Sequence, residues 1–230
     1  MAKTQSKIRT RSKKKTIEIP EYSLAEELIN AISHGVGASL AIAALVVCIV
    51  HSHSALGVIA SALYGSMMII LYVCSCLYHG LSPKIRGKKV LRVIDHDNVF
   101  LMEAGTFMPV SLSLLIMNGH VALGWVVFGI VWLITILAIV FTSINVDKFQ
   151  KVGVICNLAL GWGALLILPA LLDVLPASGL LMLILGGATY SLGALWFGIG
   201  AKVKWMHSIF HFYVIMASVF HFVLIYNFCI

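Results

Sequence analysis

Charged residues are scarce in this 230-residue chain: 11% of the residues are Asp, Glu, Lys or Arg, whereas 60% are hydrophobic. So few charges cannot cover the surface of a soluble domain, and the composition therefore excludes that class. Apolar runs of about 20 residues recur along the chain, and each is long enough to cross the hydrocarbon core of a bilayer as a helix. The sequence predicts an all-α membrane protein built as one helical bundle.

Cysteine is also sparse, and its distribution disfavours two kinds of site. The cysteines are odd in number and all lie inside apolar runs, at Cys48, Cys74, Cys76, Cys156 and Cys229. This pattern argues against a disulfide framework and against a thiolate zinc site. We interpret these residues as small apolar filler, with a minor ligand role left open for Cys74 and Cys76, which lie close to His79.

Basic residues are missing from half of the loops. The 16 Lys and Arg residues fall into four groups, within residues 3–15, 84–92, 148–151 and 202–204. These groups are the N-terminal tail and every second loop, which is the positive-inside pattern of membrane proteins. The pattern predicts a cytoplasmic N-terminus and an outside C-terminus. It also argues against nucleic acid as a partner, although the formal net charge is +7.

The chain divides into a basic cytoplasmic tail, residues 1–22, and a seven-helix transmembrane domain, residues 23–230. The tail has no apolar stretch close to its start, so no cleaved signal peptide is expected. Anionic lipid head groups are the partner expected for the tail. The helices are predicted at residues 24–50, 56–78, 95–117, 121–143, 152–172, 179–198 and 205–228, with loops at 82–93 and 145–151.

Three histidines are the candidate metal ligands. His207 and His211 are four residues apart at the start of the seventh predicted helix, so both imidazoles can reach one point. His79 ends the second helix, and Asp95 stands at the entry to the third. The predicted topology puts all four near the cytoplasmic boundary, which favours a metal held by His79, His207 and His211. The alternative is a chance alignment of hydrogen-bonded core histidines.

Three imidazoles leave one position of a tetrahedral zinc ion open, as in catalytic sites. The metal would lower the pKa of a water there toward about 7. Asp95 would orient or deprotonate that water, and Ser75 would donate a hydrogen bond. The simpler interpretation of Asp95 and Asp97 is a helix cap with interfacial charges, which suits Asp97 well, whereas Asp95 is the residue to test first. Ser208 stands where the helix motif of metalloproteases needs Glu, so a protease of that type is disfavoured.

Other polar residues occur inside the apolar runs. In the first helix Glu27, Asn30, His34 and Gly37 share one stripe, which should face the bundle and support the site. The alternative is a solvated helix start followed by a packing glycine. Glu103 lies two turns into the third predicted helix, where a carboxylate is costly, so we expect it to be protonated or turned inward.

These motifs resemble the hemolysin III family, the bacterial branch of the progestin and adipoQ receptor superfamily. The matching segments cover residues 23–230 in order: Glu27-x-x-Asn30-x-x-Ser33-His34-Gly35-x-Gly37, Ser75-x-x-Tyr78-His79, Ile94-Asp95-His96, Ala104-Gly105-Thr106 with Pro109, and His207-x-x-Phe210-His211 with His221-Phe222. The resemblance implies a seven-helix bundle with its amino terminus inside.

The resemblance also implies a site. It implies Zn²⁺ held by the three histidines, with Asp95 and Ser75 beside the bound water. His96, next to Asp95 in the matching motif, joins Glu27, Asn30 and His34 as a supporting residue. Two residues depart from the family pattern: Asp97 replaces a small residue, and Glu103 replaces an apolar one. Both add negative charge near the expected site.

Three functions follow as hypotheses. The first is a zinc-dependent hydrolase of a lipid amide or ester, active in lipid homeostasis in the bacterial plasma membrane, with a membrane lipid as substrate or ligand. The second is a non-catalytic sensor or regulator of membrane composition in which zinc is structural. The third and weakest is a pore-forming cytolysin. The sequence identifies neither the substrate nor any protein partner.

Overall fold

A computed structural model describes Ile17 and residues 19–230, and the regular elements of this part are all helical. Seven helical spans are long and apolar enough to cross a membrane, which confirms the predicted fold class and makes the chain a multi-pass membrane protein. The α-helices are α1 (Leu24–His51), α2 (Ala55–Gly80), α3 (Gly87–Met108), α4 (Val121–Ile144), α5 (Val146–Trp162), α6 (Leu168–Val174), α7 (Ala177–Gly200) and α8 (Met206–Phe228). The basic run of the tail lies outside the described residues.

Two spans contain irregular turns next to a proline. The third span continues from α3 into a π-helical segment, Pro109–Leu115. The fifth span joins α5 to α6 through a 3₁₀ segment, Gly163–Ile167, and Pro169 follows in the first turn of α6. Because proline has no N–H and crowds the preceding turn, it disturbs the regular α-helical ladder at both places.

The third helix begins earlier than the sequence predicted. It starts at Gly87, whereas residues 82–93 were predicted as a loop and the helix entry was placed at Asp95. The added turns carry basic residues that find partners in the bundle: Lys88 bonds to Glu27, and Arg92 pairs with Asp147 at 2.6 Å. Asp95 therefore lies about two turns inside α3, so the interpretation of Asp95 as a helix cap was wrong.

Asp97 and the start of the fifth span were also misplaced. Asp97 is buried within α3 and accepts a hydrogen bond from the Ser143 hydroxyl at 2.6 Å, so it is not a cap either. The fifth span begins at Val146, although residues 145–151 were predicted as a loop. Asn145 caps this helix, because its side-chain oxygen accepts a hydrogen bond from the backbone N–H of Lys148.

The first and last spans are tied together at one end. Ser23 and Glu26 form a capping box at the start of α1. The other carboxylate oxygen of Glu26 accepts a hydrogen bond of 2.7 Å from the backbone N–H of Trp205. The backbone of Trp205 adopts the left-handed conformation, with φ of 68°. Trp205 directly precedes α8, which begins at Met206 and not at Trp205 as predicted. The starts of α1 and α8 are therefore neighbours.

Close helix packing depends on glycine at the α1–α2 interface. A Cβ added at Gly65 of α2 would lie 2.6 Å from Leu45 Cβ and 2.9 Å from its Cα. The backbone of α1 would have to move away to accept it. α1 and α2 form one of the most extensive helix pairs of the bundle, together with α7 and α8.

We therefore expect Gly65→Ala to destabilise the bundle, because overpacking a helix contact typically costs about 1–3 kcal/mol. Thermal melting of the purified protein in detergent measures the effect. The control is Gly129→Ala in α4, where an added Cβ would meet nothing within 4 Å. Gly129→Ala should leave the melting temperature unchanged or raise it, since alanine is the better helix former. An equal loss in both variants would contradict this account of the interface.

Candidate metal centre

Three histidines from two helices meet inside the bundle. His79 from the end of α2 and His207 and His211 from the first turns of α8 are all buried, and their ligand atoms lie within 4.8 Å of one another. The Nε2 atoms of His207 and His211 are 3.2 Å apart. The rings of His79 and His211 have their centroids 4.8 Å apart. The three residues predicted as metal ligands thus form one cluster that could bind a metal ion.

A carboxylate orients His79 in this cluster. The Nδ1 atom of His79 lies 2.6 Å from Oε2 of Glu27 on α1. The Nδ1–H therefore donates to the carboxylate, which leaves Nε2 as the ring nitrogen that could bind a metal ion. Nε2 is buried and has no hydrogen-bond partner among the described residues. A free imidazole nitrogen whose ring is held by a carboxylate is the usual arrangement of a metal ligand, so the residues present fit a metal ion.

Lys88 completes this arrangement, and sequence reasoning missed it. Its side chain is fully buried, and its ammonium group donates both to Oε1 of Glu27 and, at 2.8 Å, to the carbonyl of Leu81. The ammonium also lies 5.2 Å from the ring centroid of Tyr78. Lys88 looked like one more basic residue of a cytoplasmic loop, and nothing in the sequence connects it with Glu27.

Tyr22 covers the cluster from the segment before α1. Its ring stacks on His207 at a centroid distance of 4.9 Å and lies 5.8 Å from the ring of His79. Burial raises the pKa of the Tyr22 phenol far above its ordinary value, and the charges of Glu27 and Asp95 raise it further. The phenol therefore stays neutral over the range in which proteins are stable. Sequence analysis assigned Tyr22 to the tail and gave it no role.

The predicted supporting residues of α1 lie beside the cluster. The amide nitrogen of Asn30 is 3.5 Å from Nδ1 of His79, and the His34 ring lies 3.8 Å from that of His211, centroid to centroid. Asn30, His34 and Gly37 are buried, so this stripe faces the bundle as predicted. His96 is further away and packs edge-on against the ring of Phe197. The Phe197 ring in turn lies 5.8 Å from the His207 ring, centroid to centroid.

The two predicted catalytic residues lie on the wall of a cavity next to the histidines. Ser75 is buried one turn before His79. Ser75 and Asp95 both line a cavity of about 310 Å³, as do His207 and His211. This volume falls within the range of small-molecule sites. The structure thus brings a carboxylate and a hydroxyl to the same chamber as the cluster.

The cavity is long, and apolar side chains form most of its wall. On α8 its lining runs from His207 to Leu224, which spans about 25 Å at 1.5 Å per residue. Leu165 of the 3₁₀ segment and Ile184 of α7 line it as well, and each residue is about half exposed. The chamber therefore reaches from the cluster deep into the membrane-spanning region.

Fold and site together define a seven-helix membrane protein with a buried three-histidine cluster at one end of an apolar chamber. Comparison with known families agrees: the family described as Haemolysin-III related matches residues 22–222. The chain belongs to this family, and its multi-pass topology is consistent with a bacterial cell membrane.

Two relatives illustrate the relationship. Hemolysin-3 of Bacillus cereus is 35% identical over 197 residues, which cover 84% of this chain and 87% of the relative. The Hemolysin-3 homolog of Bacillus subtilis (strain 168) is 32% identical over 212 residues, which cover 91% of this chain and 97% of the relative. No solved structure gives a significant match.

The cluster leads to a prediction about metal content. Replacing His79, His207 or His211 by alanine should remove a bound transition metal, because two imidazoles hold such an ion far more weakly than three. Elemental analysis of the purified variants measures the metal-to-protein ratio. The matched control is His53→Ala, since His53 is exposed in the loop between α1 and α2. Full metal content in His211→Ala would contradict the assignment.

The Glu27 contact leads to a second prediction. Glu27→Gln should weaken metal binding roughly 10- to 100-fold, because partners that orient a ligating histidine carry that much of the affinity. Competition with a chelating dye measures the dissociation constant, and Glu21→Gln, at an exposed position, is the control. The double variant Glu27→Gln with Lys88→Met removes the cation left unpaired by the single change. Unchanged affinity in both Glu27 variants would refute the orienting role.

Proposed function

We propose that this protein is a zinc-dependent hydrolase of a long-chain lipid amide or ester in the bacterial cell membrane. One observation carries the proposal: an apolar chamber about 25 Å long ends at three clustered histidines, with Asp95 and Ser75 on its wall. An acyl chain suits the apolar part, and a hydrolysable head group suits the polar end.

The chemistry divides between a metal and the side chains around it. His79, His207 and His211 would hold the ion, and a Zn²⁺ ion supplies Lewis-acid activation of water and of a carbonyl group. Three imidazoles also accept other transition metals, so zinc is part of the proposal. Glu27 and Lys88 fix the ring of His79, so that its Nε2 is available toward the cluster.

Asp95 is the proposed general base. Its carboxylate lies within electrostatic reach of His79 and on the cavity wall, where it can accept the proton of an attacking water. The same group can then give that proton to the departing amine or alcohol. Ser75 lines the same cavity, and its hydroxyl can hold Asp95 in place or donate to the carbonyl oxygen of the substrate.

The walls of the chamber support entry from the lipid phase. Leu165 and Ile184 line the cavity and are also about half exposed. Tyr22 covers the cluster at the opposite, polar end. A substrate taken up sideways from the bilayer would bring its scissile carbonyl to Asp95 without leaving the membrane.

Reconstitution with defined lipids tests the proposal. Purified, zinc-loaded protein in vesicles containing long-chain N-acyl amides and esters should release free fatty acid, detected by mass spectrometry. Chelation of the metal and the variant His211→Ala should both abolish release. If zinc-loaded, folded protein released no fatty acid from any lipid class, the hydrolase proposal would fail.

Asp95→Asn isolates the general base. We expect fatty-acid release to fall roughly 100- to 10,000-fold, which is the usual contribution of a positioned acid–base group. Zinc content should stay the same, because Asp95 is not among the three clustered ligands. The control is Asp173→Asn, since Asp173 is exposed near the end of α6. Retained activity in Asp95→Asn with unchanged metal content would assign the base to another residue.

A second candidate function follows from where the histidines come from. The cluster joins α2 to α8, and Glu27 attaches α1 to it, so a bound ion would cross-link spans that are distant in sequence. In a non-catalytic sensor of membrane composition, zinc would serve this structural purpose. Chelation would then lower the melting temperature, and no lipid product would form under any of the conditions above.

A further inference from the structure

A second polar region lies deeper in the same chamber. Glu103 of α3 and Asn157 of α5 both line the cavity, and Glu103 is two turns beyond Asp95, about 12 Å further along the helix. Gly161 leaves room for this side chain, because a Cβ there would lie 2.8 Å from Oε1 of Glu103. The bundle therefore accommodates a carboxyl group in a region where carboxyl groups are rare.

The two side chains leave oxygens without partners. Oε2 of Glu103 and Oδ1 of Asn157 are both buried, and neither has a hydrogen-bond partner among the described residues. A buried polar atom without a partner costs free energy, so native structures contain few of them. Two such atoms on the wall of one chamber indicate that the chamber's contents supply the missing donors.

Neighbouring donors on the wall are engaged elsewhere. The indole N–H of Trp162 donates to the Ser191 hydroxyl at 3.0 Å, and that hydroxyl donates to the carbonyl of Gly187 at 2.8 Å. The Thr106 hydroxyl donates to the carbonyl of Met102 at 2.9 Å. These groups line or border the cavity, yet they contribute nothing to Glu103 or Asn157.

The nearest phenol is also engaged. The Tyr190 hydroxyl lies 3.0 Å from the Ser218 hydroxyl, and Ser218 donates its own proton to the carbonyl of Val214 at 2.8 Å. The Tyr190 hydroxyl therefore donates its proton either to Ser218 or to the sulfur of Met102, which lies 3.7 Å away. Its single proton is used, and no donor is left over for Glu103.

We propose that Glu103 and Asn157 form a subsite for a neutral hydrogen-bond donor, a hydroxyl group carried part-way along the apolar chain of the lipid. No Lys, Arg or His of the described residues pairs with Glu103, and a charged amine on the ligand would have to shed its water in a low-dielectric interior. A hydroxyl can donate a hydrogen bond to one oxygen and accept one from the carboxylic acid O–H at much lower cost.

The inference rests on the proposed function in one respect: the polar head of the ligand lies at the histidines, so the hydroxyl falls about 12 Å along the chain. It does not require turnover. Glu103 would therefore be a specificity-determining residue, selecting a chain with a mid-chain hydroxyl over an unsubstituted chain.

A binding experiment with two matched probes tests this. The probes are stearic acid and the same acid with a mid-chain hydroxyl, and each displaces a fluorescent fatty acid from the purified full-length protein in nanodiscs. The hydroxylated acid should bind roughly two- to tenfold more tightly, the factor expected for one net hydrogen bond. Acids with the hydroxyl near the head or near the tail should lose this advantage.

Variants identify the residues responsible. Glu103→Leu and Asn157→Leu should each reduce the ratio of the two dissociation constants toward one, while Glu103→Gln should preserve it, because an amide still donates and accepts. The matched control is Thr106→Val, which removes a cavity-lining hydroxyl that is already bonded to Met102 and should leave the ratio unchanged. Melting temperatures verify folding, and if Glu103→Leu does not fold, Asn157→Leu carries the test.

Two results would overturn the inference. Equal binding of both acids to the wild-type protein would mean that an internal water, and not a ligand, satisfies the two oxygens. A preference that survives in Glu103→Leu would place the selecting group elsewhere. Asp95→Asn separates this inference from the proposed hydrolysis, because this variant should lose fatty-acid release but keep the ratio of the two dissociation constants. Conversely, a wild-type protein that released fatty acid but bound both acids equally would support the hydrolase and refute the subsite.

Discussion

A charge placed inside this bundle must be paired or hydrogen-bonded, because the membrane interior cannot solvate it. Glu27 meets this requirement twice: one carboxylate oxygen accepts from Lys88 and the other from His79. Lys88 alone would be an uncompensated cation, and Glu27 alone an uncompensated anion. The contact with Glu27 occupies Nδ1 of His79 and leaves its Nε2 as the nitrogen that could bind a metal ion. The electrostatic requirement of the lipid environment thus determines the geometry of the candidate metal centre.

Two consecutive glutamates place the helices that carry this centre. Glu26 caps α1 and binds the backbone N–H of Trp205, which sets where α8 begins and hence where His207 and His211 stand. Glu27 binds the ends of α2 and α3. The residues of the cluster are distant in the sequence, but their helices are all fastened to the first turn of α1. A metal ion would reinforce a junction that the polypeptide has already formed.

The sequence predicted the parts of this arrangement that depend on spacing and on charge distribution. The four-residue spacing of His207 and His211 and the alternation of basic loops were sufficient to bring His79 to the same place. Lys88 could not be predicted, since a basic residue in a short loop is ordinarily solvated and its partner comes from another helix. The early start of α3 could not be predicted for the same reason. Its added turns carry buried basic residues, which are tolerated only because Glu27 and Asp147 from other helices pair with them.

The distribution of polar groups along the chamber restricts what it can hold. At one end His207, Asp95 and Ser75 require a polar head group, and Tyr22 covers this end with a neutral phenol. The long wall beyond them is mostly apolar, so a water-soluble ligand would leave apolar surface in contact with water or with polar groups. Under the proposed function, an amphipathic chain would satisfy both parts at once, and it would enter between the half-exposed residues Leu165 and Ile184. The same physical requirement, that polar groups find partners and apolar surface avoids water, explains both the fold and the class of ligand that suits it.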